Sequence, residues 1–168
     1  MRSRTRLAAA LTTLAVVAVA LAGLAGGDLA TSAPGTPEAQ RDAMAQTGKV
    51  QGAPQRELVL SRVVVPPGAK LALHHHLGTQ VARIESGVLT YTVRQGSVVV
   101  HHGQSDADPT IVRKIAAGQS GRIKAGDWIV EQPSDIHRAA NKGGQPVVIY
   151  LATLLKAGAP PATPVAGK

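Results

Sequence analysis

From Glu57 to Leu155 the sequence is a series of short aliphatic and β-branched runs, each closed within a few residues by glycine or proline. Leu58, Val59, Leu60, Val63, Val64 and Val65 lead into Pro66-Pro67-Gly68, which stops a strand and turns the chain. Val88 to Arg94 alternates apolar and polar residues as a half-buried strand does, between turns at Ser86-Gly87 and Gln95-Gly96. Val147 to Leu155 closes the series as a long apolar strand. Strands this short, spaced this regularly, make an all-β sandwich or barrel.

With 168 residues and terminal segments outside this region, the chain accommodates one domain and not two. It has no cysteine, which excludes disulfides, thiolate metal sites and a cysteine nucleophile, so any metal must use nitrogen and oxygen donors. Aromatic residues are 2% of the chain and Phe is absent, so the core must be built from Val, Leu, Ile and Ala, and base-stacking platforms are not expected. Of the formal charge of +8, Arg2, Arg4 and Arg6 carry three units, leaving +5 on scattered Lys and Arg. That distribution describes a solvated basic surface, with no nucleic-acid partner, although weak attraction to small anions is compatible with it.

The three arginines precede an apolar run from Leu7 to about Ala22, the layout of a secretory signal peptide over residues 1–22, with Ala20-Leu21-Ala22 as a small-x-small cleavage pattern. The protein is therefore expected to be exported, periplasmic or secreted; the alternative is that the uncleaved segment anchors it to the membrane. Residues 23–55 are rich in Ala, Thr, Pro, Gly and Gln and read as a flexible linker, with room for one short helix over 37–46. Residues 56–155 form the folded domain, and the Pro- and Ala-rich stretch 156–168 reads as an extended or disordered tail.

The chemistry concentrates in Gly68 to Gly87, which holds His74, His75 and His76. Alternation along a strand points His74 and His76 to one face and His75 to the other, and Gln80 keeps their parity if the strand resumes in phase. Far downstream, the stretch Gly126 to Asn141 supplies an isolated His137 and reads as the partner strand.

These two stretches resemble the motifs of the cupin family. The first motif, a glycine, His-x-His, a glutamate and a closing glycine, falls on Gly68, His74, His76, Gln80 and Gly87, with glutamine where the family has glutamate. The second falls on Gly126, His137 and Asn141, with Pro133 one position late and Ser134 where the family has glycine. The resemblance implies a single double-stranded β-helix, a jelly-roll barrel, over residues 56–155. It also implies a divalent transition metal (Zn, Mn, Fe, Ni or Cu) on His74, His76 and His137, with Gln80 as a fourth, weaker oxygen ligand. A homodimer is implied too, with Leu58 to Val65 as candidate edge strand. With glutamine in the set the metal would keep its full charge, binding less tightly but acting as a stronger Lewis acid. Glu85 has the wrong parity to replace the missing carboxylate.

Other polar residues have plainer readings. His101 and His102 are a solvated pair at a strand end, Asp106 and Asp108 are turn residues, and Asn141 is a turn-stabilising side chain. Tyr91, Arg83 and Trp128 are candidate cavity residues, Arg83 with outward parity, and no catalytic acid or base is evident. The functional expectation is an exported metal-binding domain acting on a small oxygen-rich or anionic molecule, as an oxygenase, isomerase or lyase. The alternative is a non-catalytic binding or sensing module.

Overall fold

The computed structural model describes residues 37–105 and 110–166. The expected signal segment, the start of the linker, Asp106 and Asp108 lie outside the described residues.

Among the described residues there are twelve strands and no helix: β1 (Gln40–Thr47), β2 (Arg56–Val65), β3 (Lys70–His75), β4 (Gly78–Ser86), β5 (Val88–Gln95), β6 (Ser97–His102), β7 (Ile111–Ala116), β8 (Ser120–Lys124), β9 (Asp127–Glu131), β10 (Ile136–Ala140), β11 (Val147–Lys156) and β12 (Thr163–Pro164). They form two antiparallel sheets, one in the order β1-β2-β11-β4-β9-β6-β7 and the other β12-β3-β10-β5-β8. The period-2 pattern decides what lies between them. Val147, Ile149 and Leu151 of β11 and Leu89, Tyr91 and Val93 of β5 are buried, and with Val65, Ile84, Ile123 and Ile129 they form one core from both sheets. Each such side chain contributes about 1.5–3 kcal/mol of burial.

The histidine stretch is not one strand. The chain leaves the smaller sheet after His75 and enters the larger one at Gly78, so His76 sits at the crossing. Gly78 makes this possible, because a Cβ there would collide with the Leu154 carbonyl of the adjoining β11. Gln80 resumes in phase and faces inward.

Three expectations need correction. Residues 40–47, read as linker with a possible helix, form β1 against β2. Every residue of β1 is exposed, so it has no apolar period to read; it is held by backbone pairing and by Gln46 Nε2 donating to Glu57 Oε1 at 2.7 Å. Consequently Leu58 to Val65 is no edge, since β2 lies between β1 and β11. The tail is also ordered in part: β12 pairs with the free edge of β3, and Val165 N donates to the Leu73 carbonyl at 2.9 Å.

Candidate metal centre

His74 and His137 are direct cross-strand partners on β3 and β10, which places two side chains on one face about one strand spacing apart. Their ring centroids are 4.4 Å apart, and His76 closes the group at 4.9 Å from His74 and 5.2 Å from His137. One ligating nitrogen from each of the three lies within 4.8 Å of the others. All three side chains are buried.

Two of the rings are fixed from outside. His74 Nδ1 donates to the Ala72 carbonyl at 2.7 Å, and His76 Nδ1 donates to the Pro161 carbonyl, also at 2.7 Å. With the proton on Nδ1, each Nε2 carries its lone pair toward the cluster, the tautomer a metal-binding imidazole requires. The second acceptor comes from the segment just before β12, within the stretch that the sequence reads as an extended or disordered tail.

Glu131 adjoins the group. It ends β9, directly opposite Gln80 on β4. Its Oε1 lies 3.1 Å from His137 Nε2 and its Oε2 3.4 Å from His76 Nε2. Tyr91 donates its hydroxyl to Glu131 Oε1 at 2.7 Å and stacks on His137. Gln80 turns its amide nitrogen toward both Glu131 Oε2 and His76 Nε2, 3.0 Å from the latter, and leaves its buried Oε1 without a partner.

Burial pushes His74 down and His137 down to about 4, in both cases outweighing the attraction of Glu131, so these imidazoles stay neutral. Burial alone would raise Glu131, but the adjoining His76 and His137 and the hydrogen bond from the Tyr91 hydroxyl hold it at about 2. Burial and the adjacent carboxylate raise Tyr91, which keeps its proton. The result is a buried carboxylate beside imidazole and amide nitrogens, with the Arg41 guanidinium in electrostatic reach. The three imidazoles, with ligating nitrogens within 4.8 Å of one another, are a donor set that suits a divalent transition metal. The residues fit the metal.

The cluster lies in a cavity of about 40 Å³ whose remaining wall is mostly aliphatic, including Ile84, Ile129 and Leu151. Space of that size takes an ion and one or two waters, so a larger ligand must reach in from the rim. Arg41 of β1 lines that rim, and among the described residues it has no hydrogen-bond or ion-pair partner.

Neither a protein-family model nor any curated protein matches the sequence. Among solved structures, the chain is similar to a cupin 2 domain-containing protein from Halorhodospira halophila, at TM-score 0.50 and 16% identity, over 77% of this chain and 72% of that one. It is also similar to an L-ribose isomerase from Geodermatophilus obscurus, at TM-score 0.55 and 15% identity, over 77% and 70% of the two chains. The fold is that of the cupins.

Within this cupin sandwich, His74, His76, Gln80 and His137 come together at one site. Gln80 presents its nitrogen there and not the oxygen expected of a ligand. The deficit of negative charge expected from that glutamine is made good by Glu131. Glu85 points outward, as its parity requires. Tyr91 lines the cavity, whereas Trp128 does not: it packs outside it, its ring stacked on His101 at 4.4 Å. Arg83 is exposed, and His102 pairs with Asp127 at 2.8 Å away from the site. Asn141 donates to the carbonyls of Val65 and Gln145 and accepts from Gly143 N, a structural clasp.

The turn before His137 lacks the glycine of the cupin motif, and Asp135 shapes it by accepting from Gln132 N at 2.8 Å. This turn spaces Glu131 from His137. Sequence reading missed Glu131, Arg41 and the Pro161 carbonyl. A signal for the first was present, because Glu131 shares the parity of Asp127 and the core residue Ile129.

Proposed function

We propose that the chain holds a divalent transition metal on His74, His76 and His137 and uses it to bind or transform a small, oxygen-rich anion. The observation that carries this reading is the buried imidazole triad, its nitrogens within 4.8 Å and two of its rings locked by backbone acceptors. When bound, such a metal supplies Lewis acidity toward a ligand oxygen. Arg41 favours an anion at the rim, the aliphatic wall excludes bulk water, and Tyr91 holds a proton at its hydroxyl, directed at Glu131.

A non-catalytic binding module is the second reading. It is favoured by Glu131, whose two oxygens already take contacts from Tyr91, Gln80 and His137 and leave no free base. Turnover by the metal-loaded protein on a panel of dicarbonyls, flavonols and hydroxy acids separates the two. The metal reading itself is tested by elemental analysis of residues 34–168, purified without a histidine tag, beside the His76→Ala/His137→Ala variant. Near-stoichiometric metal in the first and none in the second supports it; two empty proteins after metal addition overturn it.

The proposal extends to export, on the arginine and apolar leader pattern of residues 1–22, which fractionation of expressing cells would test. It extends also to a homodimer, through the outer face of the larger sheet, where Leu58, Leu60 and Val81 are exposed. A monomeric mass in light scattering would refute that part.

A further inference from the structure

We propose that Glu131 is the anionic ligand of the metal centre, and that Gln80 is its positioning residue. This inference rests on the metal reading above and gives the carboxylate a different address from the one the cupin motif would give it.

Distances argue first. Two donors on one ion at about 2.1 Å are about 3.0 Å apart at right angles and about 3.4 Å apart at the tetrahedral angle. Glu131 stands 3.1 Å from His137 Nε2 and 3.4 Å from His76 Nε2, the spacing of neighbouring ligands, and lies outside the 4.8 Å group of the three imidazoles, so it must shift toward His74 to join them on one ion. Glu131 is 3% exposed, so water cannot compensate its charge.

The ladder explains how the carboxylate can move. Gln80 and Glu131 are register partners on β4 and β9, and their side chains leave the same face of the sheet. Exchanging residue types across one antiparallel pair keeps the carboxylate in the same small volume. It changes only the strand from which the carboxylate arrives.

Gln80 has the orientation that a supporting role requires. Its Nε2 faces Glu131 Oε2, and rotating the amide would set oxygen against carboxylate oxygen, so the donor must point this way. Its Oε1 is thereby left buried and unpartnered. The glutamine at the motif position holds the ligand and is not the ligand.

The test compares wild type, Glu131→Gln, Gln80→Ala and the exchanged Gln80→Glu/Glu131→Gln variant. Zinc affinity is read by chelator competition, and the cobalt(II) absorption spectrum reports the donor set. Glu131→Gln is expected to lose at least about 100-fold in zinc affinity and to change the cobalt spectrum. Gln80→Ala should lose about tenfold while keeping the wild-type spectral bands, as a residue acting through another does. The exchanged variant should recover to within about tenfold of wild type, which also shows that the loss in Glu131→Gln is not a folding defect. Wild-type affinity and spectrum in Glu131→Gln would overturn the assignment while leaving the metal reading intact. Wild-type protein that binds neither ion would overturn both.

Discussion

Removing residues 158–168 should weaken the site without touching any of its side chains. His76 is 1% exposed, and its Nδ1 has one partner, the Pro161 carbonyl at 2.7 Å. Deleting the strap leaves that N–H either unsatisfied, at about 1–3 kcal/mol, or bonded to water admitted at the sheet edge. It also frees the ring to rotate and to shift its proton to Nε2, the atom the metal needs. Loss of such a supporting acceptor costs typically 10–100-fold in metal affinity, about 1.4–2.7 kcal/mol.

The assay is zinc competition against a chelator, beside urea denaturation of both proteins without metal. A control separates the carbonyl from the strand. Val165→Pro removes the N–H that bonds Leu73 at 2.9 Å, so it should cost about 1 kcal/mol of stability while zinc affinity stays within threefold. A truncated protein that unfolds cooperatively and still binds zinc within about threefold of wild type would refute the role given to the strap.

In the metal-loaded protein, Arg41→Ala should weaken binding of a small carboxylate such as acetate by about tenfold, read by calorimetry, with metal content unchanged. The metal-free protein should lose stability on acidification. His137, ordinarily near 6.5, is held at about 4 when folded, so its contribution is complete above pH 6.5 and is lost as the unfolded chain takes up the proton below it. That amounts to about 1.4 kcal/mol by pH 5.5 and roughly 3 kcal/mol in full, with His74 adding in the same direction; urea midpoints that stay flat from pH 7.5 to 5 would refute it. Gly78→Ala should cost about 3 kcal/mol or more, because the backbone of β11 must move to admit a Cβ, and thermal unfolding will show whether it does.

What was legible in the sequence was whatever burial writes into side-chain alternation. β5 and β11 show it plainly, and so do His74 and Gln80, whose inward parity follows from the same period. What was not legible rests on backbone groups. β1 exposes every side chain and is held by its ladder, and the strap acts on His76 through a carbonyl that any residue at position 161 would present. Neither leaves a mark in residue type.

Glu131 is a different case, because its parity was readable and its partner was not. Taken alone, glutamine at position 80 removes one negative charge from the site, and a bare, strongly acidic metal follows from that step. Position 80 is paired across the ladder with position 131, and the two together still present one amide and one carboxylate to the triad, at His76 and His137. The electrostatics of the site belong to the pair, since a field inside a volume of about 40 Å³ does not depend on which strand delivers the charge. Strand of origin matters instead for control. A carboxylate on β9 is tied through the Asp135 turn to His137, six residues on, so any shift of that turn moves one anionic and one neutral donor together.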